Sequence, residues 1–203
     1  MDGIPLDETY TWSTARARGV TRSQIRSDGI PIARGLYASR SAELDLRARC
    51  RAWAQVLPRD ASFGLGTAAA LLDAGGTAST KVHVVVSPRR VVPQRSGITV
   101  HVRSLAADDD VTVVDGLRVT AGAQTFLDMA AVLSPPELLA LGDALMRGGH
   151  LDHEALGRRL ARADRVRGVV PARRWAPQLS PKAGSHPEST VRRRVESDRR
   201  WRR

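Results

Sequence analysis

Arg22, Ser23, Gln24 and Arg26 stand close together in the stretch GVTRSQIRSDGIPIARGLYA, which starts at Gly19. An arginine guanidinium can pair with guanine through two hydrogen bonds, and a glutamine amide can pair with adenine in the same way. Side chains at the start of a recognition helix face the base edges in the major groove. The stretch therefore predicts a DNA-reading helix with these four residues as its base contacts.

The elements that would position this helix can be inferred from the neighbouring residues. Thr21 and Gln24 have the spacing of a capping box, so the helix is expected to begin after Thr21. Gly19 suits the left-handed residue that ends a preceding short helix, which is predicted to include Tyr10. Ile25 supplies the apolar anchor of the second helix. We therefore count Thr21 among the residues of the predicted interface.

A ribbon of two strands is predicted after the second helix. The strand-prone run IPIARGLYAS is interrupted by Pro31 and Gly35, which indicates edge strands joined by a turn. Arg34 in this turn and Arg40 after it are expected to meet phosphates or the adjacent groove. The alternative is a small structural helix with a hairpin that reads no DNA.

The remainder of the chain predicts a mixed α/β region over residues 41–165. Two helices are expected between residues 41 and 76, and the last three helices are expected after residue 120, with Ser134 and Asp152 at two of their starts. A small mixed sheet is expected over residues 80–120, where an Asp-Gly pair indicates a hairpin. Its predicted strands are Val82–Val86, Ile98–Val102, Val111–Val114 and Leu117–Thr120. The predicted fold class is α+β.

Three regions follow from this pattern. Residues 1–40 are predicted to be a winged helix-turn-helix domain that binds DNA, and residues 41–165 a mixed α/β domain. Residues 166–203 are predicted to be a linker and a basic tail, because residues 167–186 are rich in proline, glycine and serine.

Charge is distributed unevenly along the chain. The net charge is +11, with 16 basic and 15 acidic residues up to Leu145 and 16 and 6 from Met146 onward. A basic region indicates a polyanionic partner such as nucleic acid. In the run VRRRVESDRRWRR (residues 191–203, the basic tail), arginines and one tryptophan could bind nucleic acid without sequence preference. Alternatively, the tail carries charge without a role.

Several features favour a cytoplasmic protein without a metal or a cofactor. From its composition we expect neither a membrane span nor a secretory leader, and the single cysteine, Cys50, has core spacing. His150 and His153 have the spacing of a metal pair on a helix, but no third ligand is near them in the sequence. His83 and His101 lie on predicted strands and could face each other or solvent.

Another local pattern involves aspartates. The run of three aspartates at residues 108–110 is expected to form an exposed loop.

The stretch ARARGVTRSQIRSDGIPIARGLYAS (residues 15–39) resembles the N-terminal winged-helix domain of the AbiEi family. Members are antitoxin-like transcriptional regulators of type IV toxin–antitoxin systems. The segments VHVVVSPRR and DVTVVDGLRVTAGAQTFLDMA are similar to the middle region of actinobacterial members, and the resemblance extends to about Arg194. It implies binding to double-stranded DNA, with the protein's own operator as the target. It also implies a functional link to a nucleotidyltransferase-type toxin without a stable complex.

Such members often continue into a very-short-patch-repair-like endonuclease domain, and SHPESTVRRR (residues 185–194) resembles its opening. In that resemblance Glu188 is the helix carboxylate near the metal site. Metal-assisted cleavage needs further carboxylates to hold Mg²⁺, and only 15 residues follow Glu188. We therefore expect no enzymatic activity, and Glu188 can equally be a solvated acid at a helix start.

Two functions follow as hypotheses. The first is an antitoxin-like DNA-binding regulator. The second is a truncated, inactive remnant of a winged-helix and endonuclease fusion. A middle domain that only binds another protein is also compatible with the sequence.

Overall fold

A small unit is formed by residues 8–40 in the computed structural model, which describes residues 8–40, 44–75, 81–88 and 91–182. Its three strands form an antiparallel sheet in the order β1-β3-β2, and its two helices connect β1 to β2. The elements are β1 (Thr9–Thr11), α1 (Trp12–Ala17), α2 (Arg22–Asp28), β2 (Gly29–Ala33) and β3 (Leu36–Ser39).

The ends of the two helices confirm the predicted signals. Gly19 has a φ of 79°, the left-handed conformation expected after α1. The capping box joins Thr21 and Gln24 at the start of α2, and Ile25 is the buried residue of that helix. Tyr10, by contrast, was predicted in a helix and lies in β1. Tyr10 lies opposite Tyr37 of β3. This pairing joins residues that are far apart in the sequence, so the local pattern does not reveal it.

The predicted pair of edge strands is half right. Pro31 lies in β2, which is an edge strand. Proline has no backbone N–H to donate, and an edge strand tolerates this because its outer side pairs with no other strand. β3 is central because β1 pairs with its other side.

A larger unit follows, with a mixed five-stranded sheet in the order β6-β5-β4-β8-β7. The four predicted strands and the Asp115-Gly116 turn are confirmed, while the two-residue β4 was not predicted. The elements are α3 (Leu46–Ala54), β4 (Ser62–Phe63), α4 (Leu65–Leu71), β5 (Val82–Val86), β6 (Ile98–Val102), α5 (Ala107–Asp110), β7 (Val111–Val114), β8 (Leu117–Thr120), α6 (Gly122–Met129), α7 (Pro135–Arg147), α8 (His153–Ala161) and α9 (Val169–Trp175). The fold is α+β with two small sheets.

The predicted linker is corrected as far as residue 182. Residues 169–175 form helix α9, and Val169, Ala172 and Leu179 are buried in the core of the larger unit. Leu179 packs against the position of Gly142 in α7, where a Cβ would lie 2.5 Å from its Cδ2. Residues 183–186 lie outside the described part. Within the described ranges, no helix combines the length and apolar character needed to cross a bilayer.

Helix α3 connects the two sheets. Trp53 is 1% exposed, and its ring lies beside Gly97, the residue before β6. From the turn after α3, the Gln55 side-chain amide donates to the backbone carbonyl of Thr9 and to its Oγ1, both at 3.1 Å. Leu36 of β3 is buried in the core of the larger unit. The small sheet is therefore held against the larger unit by apolar and polar contacts.

A buried polar network ties α5, α6 and α8 together. Arg159 donates from Nε to the side-chain oxygen of Gln124 at 2.6 Å and lies 3.3 Å from Asp110 Oδ1. Asp110 also accepts from Arg162 at 2.6 Å, and Gln124 donates to Asp128 at 2.8 Å. Asp110 is 3% exposed, so the predicted exposed aspartate loop is corrected at this position. Its burial results from ion pairs with residues about 50 positions later, which no local pattern reveals.

Removing Arg159 is expected to destabilise the fold strongly. Arg159→Met leaves the Gln124 oxygen without this donor and removes one of the two arginines that pair with Asp110. We therefore expect the free energy of unfolding to fall by about 3 kcal/mol. Arg158→Met is the matched control, because the adjacent Arg158 is exposed and forms an ion pair with Glu154, one turn earlier on the same helix. We expect it to cost less than about 0.5 kcal/mol. Urea denaturation measures both, and equal losses would contradict a stabilising role for the network.

Candidate nucleic-acid interface

The start of α2 is organised by its capping box. The backbone N–H of Gln24 donates to Thr21 Oγ1 at 3.3 Å, and the backbone N–H and the hydroxyl of Thr21 both donate to Gln24 Oε1 at 2.8 Å. Two hydrogen bonds fill the acceptor capacity of that amide oxygen. The predicted bidentate pairing with adenine needs the same oxygen. In this conformation Gln24 therefore holds the helix start and can offer only its amide N–H groups.

The remaining predicted residues of α2 project into solvent. Arg22, Ser23 and Arg26 are exposed, and Arg22 and Arg26 are one helical turn apart. The Arg22 guanidinium carbon lies 5.9 Å from the centre of the Trp12 ring, within the range of a cation–π contact. This contact orients the Arg22 side chain through the face of its guanidinium group and leaves the N–H groups at its edge for other partners. The helix therefore presents two arginines and one hydroxyl on its accessible side.

The turn between β2 and β3 carries the third arginine. Gly35 has a φ of 78°, and nothing lies near the position of a Cβ there, so backbone conformation is the reason for glycine. The Trp12 backbone N–H donates to the Gly35 carbonyl at 2.9 Å, which fixes the turn beside the start of α1. Arg34 is exposed at this turn.

Arg40 has a different setting from the other predicted arginines. Its Nε donates to the carbonyl of Ser27 at 2.7 Å, and its backbone N–H donates to the carbonyl of Asp28 at 3.1 Å. These carbonyls belong to the last turn of α2, where a cation complements the helix end. The structure therefore places Arg40 at the opposite end of α2 from Arg22.

Three predicted residues and one unpredicted residue line a single cleft of about 950 Å³. We call it the arginine cleft, and its basic residues are Arg22, Arg26, Arg34 and Arg95. No acidic side chain is among its described lining residues. Arg95 comes from the segment between β5 and β6, which the sequence shows only as a proline- and arginine-rich connection. Folding across 61 positions brings it to Arg34, so no local signal could have identified it.

Aromatic side chains form the remaining prominent surface of the cleft. Trp12 and Tyr37 line it, and Tyr37 stacks on Tyr10 with a centroid distance of 5.8 Å. Tyr10 is 1% exposed, and burial together with the nearby charge of Asp28 raises the pKa of its hydroxyl. Tyr10 is thus a core residue that supports the cleft wall.

The sequence also suggested a possible nucleophile and possible metal ligands outside the cleft. Cys50 is fully buried, and burial raises the pKa of its thiol to about 12, so it is not a nucleophile at neutral pH. His150 and His153 do not join a third ligand, because the described part contains no group of three metal-ligating side chains. Glu188 and the basic tail lie outside the described residues.

His83 and His101 face each other across β5 and β6. Their rings stack at 5.3 Å, and Nδ1 of His83 lies 3.0 Å from Nε2 of His101, so one nitrogen donates and the other accepts. Burial and the neighbouring His83 and Arg103 lower the pKa of His101 to about 4. His101 is therefore neutral at pH 7 and forms a cross-strand contact with His83.

Comparison with known proteins gives a likeness in fold. The crystal structure of the RV2827C protein from Mycobacterium tuberculosis matches with a TM-score of 0.61 and 16% sequence identity, covering 88% of this chain and 73% of that chain. At this identity the likeness concerns the fold alone. No family model matches the chain, and no curated protein gives a significant match. Membership of the AbiEi family therefore stays a prediction.

The histidine pair predicts a specific loss of stability in acid. The unfolded chain protonates His101 near pH 6.5, whereas the folded chain does so near pH 4. As the pH falls through this window the unfolded state binds the extra proton, and the free energy of unfolding decreases. His101→Val removes this contribution, so we expect its melting temperature relative to wild type to rise as the pH falls from 7 to 4.5. Thermal unfolding measures the difference, and a difference independent of pH would contradict the assignment.

Proposed function

We propose that this chain is a DNA-binding transcriptional regulator in which residues 8–40 act as a winged helix-turn-helix domain. The observation that carries the proposal is the grouping of Arg22, Arg26 and Arg34 in one accessible cleft without an acidic lining residue. Two of them lie on a short helix and the third on an adjacent hairpin turn. In protein–DNA complexes, arginines on a recognition helix contact base edges, and arginines on an adjacent turn contact phosphates.

The order of elements supports the same reading. A winged domain needs a helix that enters the major groove, a second helix that supports it, and a ribbon beside them. Residues 8–40 offer α2, α1 and the β2–β3 ribbon in these places, with β3 in the centre of the sheet. In this assignment α2 is the recognition helix and the turn at Arg34 is the tip of the wing.

The proposed roles differ among the predicted residues. Arg22, Ser23 and Arg26 contact bases, and Arg34 contacts a phosphate or the adjacent groove. Thr21 and Gln24 hold the start of the helix through the capping box. In our assignment Arg40 stabilises the end of the helix, which follows from its hydrogen bond to Ser27. These roles divide the site into contacts and supports.

The finer assignment is an antitoxin-like component of a type IV toxin–antitoxin system. Its basis is the resemblance of residues 15–39 to the AbiEi winged-helix domain, and the fold likeness adds no activity to it. In this assignment the protein acts in the cytoplasm, binds its own operator, and counters a nucleotidyltransferase-type toxin without a stable complex. The competing hypothesis, an endonuclease remnant, depends on Glu188 and gains no support from the described residues.

The test is fluorescence anisotropy with the duplex immediately upstream of the coding sequence and with a scrambled duplex of the same composition. We expect wild type to prefer the upstream duplex. We expect Arg22→Ala to weaken that binding by about tenfold to a hundredfold and to reduce the preference, since it removes a base contact. Measurements across a salt series separate base contacts from general charge attraction.

Two control variants make the result specific. Arg118→Ala removes an exposed arginine of β8 that does not line the cleft, and we expect little change in affinity or preference. A full-length variant with the seven arginines of the basic tail changed to glutamine should keep the preference. Equal, steeply salt-dependent binding to both duplexes that disappears in the tail variant would reject a DNA-reading role for residues 8–40.

A further inference from the structure

Arg95 lies where the larger unit meets the proposed wing. Its Nη1 donates to the backbone carbonyl of Arg34 at 3.2 Å, and its side chain is exposed. Arg95 and Arg34 line both the arginine cleft and a neighbouring cavity of about 620 Å³ on the side of Gln55. Arg95 therefore borders both concave surfaces, next to the turn that the proposed function assigns to DNA.

The backbone around Arg95 is held in place from the core of the larger unit. Gly97 has a φ of 92°, and a Cβ at this position would lie 3.0 Å from the buried ring of Trp53. The Gly97 carbonyl accepts a hydrogen bond from the Val82 backbone N–H at 2.9 Å. Because the chain is fixed two residues after Arg95, its position does not depend on the proposed DNA contact being formed.

The guanidinium of Arg95 has more donors than its contact with Arg34 uses. An arginine side chain carries five N–H donors, and two parallel donors match the geometry of a phosphate. Four arginines around one cleft repel each other, and the described lining residues supply no acidic partner. A polyanion that enters the cleft relieves this repulsion, which makes a backbone phosphate the chemically matched ligand.

We propose that Arg95 binds a DNA backbone phosphate beside the β2–β3 turn, so that the larger unit takes part in DNA binding together with residues 8–40. This inference rests on the proposed function. It adds a positioning contact from outside the winged domain and identifies the 92–97 segment as part of the interface.

The experiment measures duplex binding by the full-length chain with Arg95→Gln, and with Arg118→Gln as the matched loss of one exposed arginine. Both the upstream and the scrambled duplex are titrated across a salt series. A phosphate contact has no sequence preference, so we expect Arg95→Gln to weaken binding to both duplexes by about tenfold. We also expect the slope of log affinity against log salt to decrease by about 1, whereas Arg118→Gln leaves both quantities near wild type.

The outcomes separate this inference from the proposed function. If wild type prefers the upstream duplex and Arg95→Gln behaves like Arg118→Gln, the phosphate contact is rejected and the proposed function stands. If affinity falls while the salt slope is unchanged, Arg95 acts only by holding the turn, and the inference is overturned. If wild type shows no preference, the proposed function fails, but the salt slope on either duplex still decides whether Arg95 meets a phosphate. Absence of any DNA binding overturns both.

Discussion

The burial of Trp53 is the constraint on which the arrangement of the candidate interface depends. A tryptophan buries a large apolar area, and its loss from the core would leave a large cavity. The backbone at position 97 is left-handed, which favours glycine, and a Cβ there would also lie tightly against the ring, at 3.0 Å. On the other side, α3 packs along β1 and β3 of the small sheet. The helix that carries Trp53 thereby contacts both the small sheet and the segment that carries Arg95.

The sequence predicted best those features that are decided by neighbouring residues. The capping box at Thr21 and Gln24 involves positions three apart, and the strand Val82–Val86 is recognisable from its β-branched residues. Features that depend on residues far apart in the sequence were not predicted. The β4 strand is too short for a periodic pattern, and α9 was hidden by proline and glycine. Arg95 looks like part of an ordinary surface turn until the small sheet folds against it.

The local distribution of charge says more about the cleft than the net charge of the whole chain does. Residues 8–40 contain six arginines but only Glu8 and Asp28 as acids, although the chain up to Leu145 is nearly neutral. The small unit therefore carries a local excess of positive charge, whereas residues 41–145 are nearly balanced. The C-terminal positive charge is separate in sequence from this cleft. In the proposed function, charge near bases and phosphates gives orientation, whereas a basic tail adds affinity that is independent of sequence.

The capping box also limits what the proposed recognition helix can read. Pairing with adenine and capping of α2 compete for the same oxygen of Gln24, and the cap already uses it through two hydrogen bonds. Breaking the cap costs about 1 kcal/mol, which reduces the net binding free energy of any contact between Gln24 and adenine. Arg22 and Arg26 face no such competition, and arginine pairs most favourably with guanine. In the proposed function the helix therefore discriminates mainly through guanine contacts of Arg22 and Arg26, with Gln24 acting on the geometry of the helix rather than on the bases.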